Sequence, residues 1–188
     1  MKMIKISYED THEHTGKLYN AISAKEFPCV VLVAMARGGW LTARILAAHF
    51  EEAGVSCFSY NVAASYIDHR TPNEKAILKQ KLDEESVDQI RQLISNGAKV
   101  IVVDSVCQTG REMIAIQDYL ASLFGKESVF TAAMHMVQFN NCPSAPWRKI
   151  CHKPDFIGVS FKYDEMPYID YPWEYSSLEK FTSRRKIC

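Results

Sequence analysis

Apolar and polar positions divide this chain into alternating elements of two kinds. After a short β-like start, Glu9 to Ile22 mixes polar and apolar residues in a manner compatible with a helix, and Glu26-Phe27-Pro28 then breaks the chain. Cys29-Val30-Val31-Leu32-Val33-Ala34-Met35 follows as a continuous, β-branched run with no polar face. A central parallel strand covered by helices on both sides reads in this way. Arg37-Gly38-Gly39 turns the chain, and Leu41, Ile45, Leu46 and Phe50 recur at helical spacing until Gly54. Val55 to Val62 reads as the next strand. Ser65 to Gln80 is polar, contains Pro72 and keeps no sustained period, so a mobile excursion long enough to be a lid is expected there. Glu84 to Ser95 is a helix stopped by Asn96-Gly97, and Lys99 to Val103 is a second fully buried strand with Asp104 at its carboxyl end. A turn through Thr109-Gly110 leads into a helix over Glu112 to Phe124, and Val129 to Val137 and Phe156 to Phe161 supply further strands.

Strands and helices alternating like this predict an α/β protein with a mostly parallel central sheet flanked by helices, and ligands bound beyond the carboxyl ends of its strands. No repeat or linker interrupts the pattern, so a single domain over 1–188 is expected. Its 22 basic and 22 acidic side chains cancel, which argues against a nucleic-acid partner. The amino terminus lacks a signal peptide's apolar region, and the longest apolar run, Cys29 to Ala36, is too short to span a bilayer. A cytoplasmic protein with no membrane partner is expected. The six cysteines form no C-x-x-C pair and read as reduced structural thiols. Cys142, Cys151 and His152 are the one set that a further ligand would turn into a metal site.

The chemistry concentrates between Asp104 and Arg111. A buried strand ending in an acid, then a short Thr-Gly turn and a helix, sets free backbone N–H groups at the positive end of a helix dipole. The N–H groups from about Gln108 to Glu112 would wrap a phosphate, with the Thr109 hydroxyl donating, Gly110 letting the backbone approach closely and Arg111 adding a charged donor. A glycine kept merely for the geometry of a β–α turn is the plainer alternative.

Val100-Ile101-Val102-Val103-Asp104-Ser105-Val106-Cys107-Gln108-Thr109-Gly110 resembles the phosphoribosyl-pyrophosphate (PRPP) motif of type I phosphoribosyltransferases: four apolar residues, two acids, two variable residues, then Asp-Thr-Gly. Met35-Ala36-Arg37-Gly38-Gly39-Trp40 is similar to that family's pyrophosphate loop, and Ser65-Tyr66 to the pair that opens its flexible catalytic loop, here 65–80. Tyr168-Ile169-Asp170-Tyr171-Pro172-Trp173-Glu174 resembles the hood of bacterial xanthine–guanine and hypoxanthine phosphoribosyltransferases, placing a hood over 155–174 and a tail over 175–188. The resemblance implies transfer of phosphoribose from PRPP to a nitrogen of a purine-like base with release of pyrophosphate, Mg²⁺ as cofactor, and a homodimer. It also implies roles. Asp104 would accept hydrogen bonds from the ribose hydroxyls or from water on the metal. Arg37 with the Gly38 and Gly39 amides would hold the leaving pyrophosphate. Ser65 and Tyr66 would exclude water, Tyr168 would stack on the base with Ile169 beside it, and Trp173 would be structural.

Departures from the family pattern fall on positions that the chemistry uses. Asp104-Ser105 stands where the family has two acids, which removes half of the negative charge directed at ribose and metal. Gln108 replaces an aspartate and cannot take a proton at neutral pH, so it is no general base. Glu112 replaces a hydroxyl residue and repels phosphate unless it points away or pairs with Arg111. The strand ending in His135-Met136-Val137-Gln138 lacks the lysine with which 6-oxopurine enzymes contact the purine oxygen, leaving Gln138 or His135 as its substitute. The rival expectation is a non-catalytic binding protein that keeps the fold and senses a nucleotide or phosphorylated metabolite; an unrelated α/β protein is the third.

Overall fold

The computed structural model describes residues 3–65, 76–142, 149–175, 177 and 180. Among the described residues, eight strands and four helices follow one another: β1 (Met3–Lys5), α1 (Tyr8–Ser23), β2 (Cys29–Met35), α2 (Gly39–Glu52), β3 (Ser56–Ser65), β4 (Ile77–Gln80), α3 (Glu84–Ser95), β5 (Lys99–Cys107), α4 (Arg111–Phe124), β6 (Val129–Asn141), β7 (Phe156–Glu165) and β8 (Tyr168–Asp170). Six strands form the main sheet in the order β4-β3-β2-β5-β6-β7, all parallel except β4, which runs antiparallel along β3. β1 and β8 make a separate parallel pair.

Alternation along the central strands sorts their side chains onto two faces, because successive residues of a strand point to opposite sides of the sheet. Val30, Leu32 and Ala34 of β2, with Ile101 and Val103 of β5, pack against Leu18 and Ile22 of α1 and Ala43, Leu46 and Phe50 of α2. Val31, Val33 and Met35, with Val100 and Val102, pack against Val87 and Ile90 of α3 and Met113, Ile116 and Leu120 of α4. Both faces are covered, which is why β2 carries no polar residue and β5 none between Lys99 and Asp104.

Helix starts are set locally. Ser7 caps α1 through its hydroxyl, which accepts from Asp10 N at 3.0 Å, while the Asp10 carboxylate accepts from Ser7 N at 2.8 Å. Asp83 caps α3 by accepting from Ser86 N at 2.7 Å.

Several expectations change here. β5 runs four residues past Val103 to Cys107, so Asp104 lies inside the strand rather than at its end. Hydrogen bonding to β6 carries it on: Asp104 pairs with Ala133, Val106 with His135 and Cys107 with Met136. The polar stretch after Ser65 contains a strand, β4, whose Leu78 and Ile77 pair with Ala64 and Ser65. Tyr66 and the rest of the expected lid through 75 lie outside the described residues. The 155–174 segment divides: β7 belongs to the main sheet beside β6, whereas β8 and the 3-10 turn Pro172–Glu174 stand apart with β1.

Candidate active site

Strand order reverses between β2 and β5. The chain moves outward from β2 to β3 and β4, then returns to lay β5 on the other side of β2. Loops leaving two such neighbours diverge and open a crevice at the carboxyl ends of the strands. Arg37-Gly38-Gly39 leaves β2 and Gln108-Thr109-Gly110 leaves β5, so topology alone brings together two segments separated by some seventy positions of sequence.

The β2 loop is pressed against β5. A side chain at Gly39 would run into the Val103 carbonyl, and one at Gly38 would meet the Ser105 hydroxyl, with the Trp173 indole nitrogen 3.9 Å away. Close approach to the β5 backbone thus requires Gly39, and close approach to the Ser105 side chain requires Gly38, whatever their amides bind. Arg37 is exposed beside them, and the Ala36–Arg37 peptide is cis. Ser105 is buried, at 4% exposure. Its side chain is directed at the β2 loop, and the position where the family carries a second acid is closed here.

Asp104 keeps a small contact with solvent but is otherwise enclosed by protein. Its Oδ1 accepts from Ser105 N at 2.7 Å. Burial pushes its carboxyl up to about 7 from the ordinary 3.8; the negative charge of Glu112 adds to the rise, and the Ser105 and Val106 N–H groups oppose it. Glu112 therefore acts on the crevice even before any phosphate enters.

Gly110 adopts a left-handed conformation (φ 77°, ψ 4°) at the start of α4, and no side chain caps the helix there. A Cβ at this position would lie 2.6 Å from that of His152. The 151–152 segment clamps the turn from outside, Cys151 N and His152 N donating to the Thr109 carbonyl at 2.8 and 3.3 Å. α4 begins at Arg111 and Glu112, and the first-turn N–H groups of an α-helix have no intrahelical partner. Gln108 reaches the other way: its Nε2 donates to the Pro167 carbonyl at 3.5 Å, a long bond that ties the turn to the approach of β8.

The base-side residues are more scattered than the sequence suggests. Ile169 is buried, while Tyr168 is exposed and its hydroxyl donates to Glu174 Oε2 at 2.9 Å. Burial and the neighbouring Glu174 carboxylate push the Tyr168 phenol up to about 12. Gln138 lines a cleft of about 610 Å³ together with Lys153, Lys162, Tyr163 and Asp164. Lys162 pairs in register with Gln138 across β6 and β7, so a lysine absent from β6 arrives from the neighbouring strand. Its position at the end of an alternating run in β7 was the available signal. His135 serves differently from the expectation: it is fully buried, and its ring nitrogens are engaged by His14 and Tyr171. Ser65 ends β3, paired with Ile77.

Among the described residues, no three His, Cys, Asp or Glu side chains converge as a metal site. Cys142 is buried and Cys151 exposed, and His152 Nε2 lies 3.0 Å from the Thr131 hydroxyl, which donates to Asp155 at 2.8 Å. Cys142, Cys151 and His152 do not converge on one point. An ion held by the substrate's own pyrophosphate, with Asp104 alone from the protein, is compatible with this donor set. Among the described residues, no helix is long and apolar enough to cross a membrane.

Comparison with known proteins agrees with this architecture. The family model for the phosphoribosyl transferase domain matches residues 7–165. Among solved structures, a hypothetical protein from Neisseria gonorrhoeae with bound ppGpp is similar at 22% identity and a TM-score of 0.70, over 97% of this chain and 94% of that one. A purine phosphoribosyltransferase from Pyrococcus horikoshii is similar at 17% identity and a TM-score of 0.60, over 94% and 97%. A xanthine-guanine-hypoxanthine phosphoribosyltransferase from Helicobacter pylori is similar at 18% identity and a TM-score of 0.61, over 96% and 97%. No curated protein is similar in sequence. With the model spanning β2 and β5 and both loops of the switch-point crevice, the chain belongs to the phosphoribosyl transferase domain family.

Proposed function

We propose that this protein transfers phosphoribose from PRPP to a ring nitrogen of a purine-like base, releasing pyrophosphate. The observation that carries the reading is the family match across the β5–α4 turn, together with the pairing of that turn and the Arg37-Gly38-Gly39 loop at one topological switch point. Purine specificity rests on the purine enzymes among the similar structures. The C1–N bond forms as the C1–O bond to pyrophosphate breaks, and the base's N–H proton passes to water or to the departing pyrophosphate.

The residues fit this transfer as follows. The Thr109 to Glu112 backbone and the Thr109 hydroxyl hold the 5′-phosphate at the start of α4, with the Arg111 guanidinium adding charge. Arg37 and the Gly38 and Gly39 amides stabilise the charge that develops on pyrophosphate. Asp104, once ionised, accepts from the ribose hydroxyls or from water on Mg²⁺, which enters as part of the substrate complex. Tyr168 faces the base from the hood, with Ile169 buried in the core next to it, and Gln138 with Lys162 reads the base's polar edge across the cleft they share. Ser65, at the end of β3, opens the segment to which the family resemblance gives the exclusion of water. Gln108 does not take the base proton; its amide holds the hood backbone at Pro167.

Family membership favours transfer over a purely sensory role, and a cytoplasmic homodimer accompanies this reading. Calorimetry with PRPP and Mg²⁺, followed by a pyrophosphate-release screen across nucleobases, tests it. Binding with turnover on a purine-like base is expected. Binding without turnover on any base would sink the enzyme reading, and the ppGpp bound by the Neisseria protein makes that nucleotide the competitor to include.

A further inference from the structure

A chain of buried hydrogen bonds links α1 to the main sheet and the hood. His14 Nδ1 lies 2.8 Å from His135 Nε2, and His135 Nδ1 lies 2.7 Å from the Tyr171 hydroxyl. That hydroxyl lies 3.2 Å from the carbonyl oxygen of Ser105, the residue after Asp104. Period-two alternation would put Met134 and His135 on opposite faces of β6. Both instead face α1, where Thr15 donates to the Met134 sulfur at 3.2 Å and His14 meets His135. The β5–β6 pairing skips Ser105 and Met134 at the same level, so the buried Ser105 carbonyl looks to Tyr171 for its donor.

The donor inventory fixes the direction of the whole chain. A carbonyl only accepts, so the single Tyr171 proton goes to Ser105, and the Tyr171 oxygen must accept from His135 Nδ1–H. His135 is neutral, since burial pushes its imidazole down to about 3; its Nε2 is then bare and accepts from His14 Nδ1–H. Burial also raises the Tyr171 phenol well above its ordinary range, which keeps it a donor. The Tyr171 ring is stacked between His135 (centroids 5.7 Å, 13° between planes) and Trp173 (4.3 Å, 17°), and Trp173 sits beside Gly38 of the β2 loop.

We propose that Tyr171 is a positioning residue: its hydroxyl, aimed by His135 and His14, fastens the hood to the PRPP strand at Ser105, and so sets the height of Tyr168 and Ile169 over the site. The consequence for catalysis rests on the transfer reading above; the fastening itself does not.

The test uses Tyr171→Phe, which keeps both ring stacks and deletes only the hydroxyl, beside the wild type. Long-range ¹H–¹⁵N spectra of the wild-type histidines should show His135 as the Nδ1–H tautomer; an Nε2–H tautomer overturns the proposal. In the variant, hydrogen exchange of the β8 amides should quicken about tenfold relative to those of β2 and β5, the worth of one buried hydrogen bond. An equal change in hood and central sheet overturns it. With an active enzyme, KM for the base should rise about tenfold while KM for PRPP stays within about twofold. A parallel rise of both overturns the positioning role. A wild type without turnover counts against the proposed activity alone, leaving tautomer and exchange to decide the fastening.

Discussion

Replacing Asp104 by asparagine should stabilise the protein while lowering its activity. The carboxyl sits at about 7 in the folded chain against an ordinary 3.8, a rise of about 3 pH units, mainly because burial disfavours its charge. At about 1.4 kcal/mol per unit, the ionised side chain costs the folded state up to about 4 kcal/mol. Residual solvent contact lowers that figure, and asparagine keeps an oxygen for the Ser105 N–H, so a gain of about 2–3 kcal/mol is expected at pH 8. The sign follows from linkage. Below about pH 4 both folded and unfolded chains carry a neutral carboxyl and the gain vanishes; between about 4 and 7 only the unfolded chain ionises, so wild-type stability falls with rising pH and the gain grows; above about 7 it is constant. Urea denaturation of both proteins at pH 4, 6 and 8 measures this, and a chain of this size should melt roughly 4–10 °C higher at pH 8. Transfer should fall by about 10- to 100-fold, the worth of charge-assisted hydrogen bonds to ribose. A variant less stable than wild type at pH 8, or a gain that is equal at pH 4 and pH 8, would refute the reasoning.

The same ionisation should appear in the rate: kcat/KM for PRPP should climb with pH to a plateau above about 7, and Glu112→Gln, by removing a charge that raises the Asp104 carboxyl, should move the climb to lower pH and tighten PRPP binding by calorimetry. An unshifted climb would count against Glu112 acting on Asp104. Ser105→Asp, which restores the family's second acid, should lose roughly 3 kcal/mol in urea titrations, because the side chain is buried against Gly38 with Asp104 adjacent. Gly110→Ala should cost about 1–3 kcal/mol through its left-handed backbone and the contact with His152, and should weaken PRPP binding in calorimetry more than any change at the exposed Tyr168.

Much of the scaffold was readable without coordinates. β2 and α3 have the bounds their residues suggest, since an unbroken β-branched run has no solvent face to offer and Asp83 and Asn96-Gly97 are start and stop signals acting over one turn. The glycine turns after β2 and β5 were legible for the same reason: glycine at a strand-to-helix turn is a local signature. β4 was not, because an edge strand with half-exposed residues carries neither an apolar run nor strict alternation. The extension of β5 through Asp104 to Cys107 was also hidden, since hydrogen bonds from β6 rather than residue propensity carry the strand onward.

By itself, then, the sequence determined most of the strands and helices, that both sheet faces are covered, and that glycine turns follow two of the buried strands, because each of these follows from neighbours within a few residues. Only the tertiary structure decided that the two turns share one crevice, that Ser105 turns its side chain into the Gly38 contact, and that Asp104 is enclosed enough to hold its proton near neutrality. It also decided that His14 meets His135, 121 residues away, and aims Tyr171 at the strand of Asp104. Burial and hydrogen-bond partnership are properties of the packed whole, and no local pattern encodes a contact made between a helix, two strands and a hood.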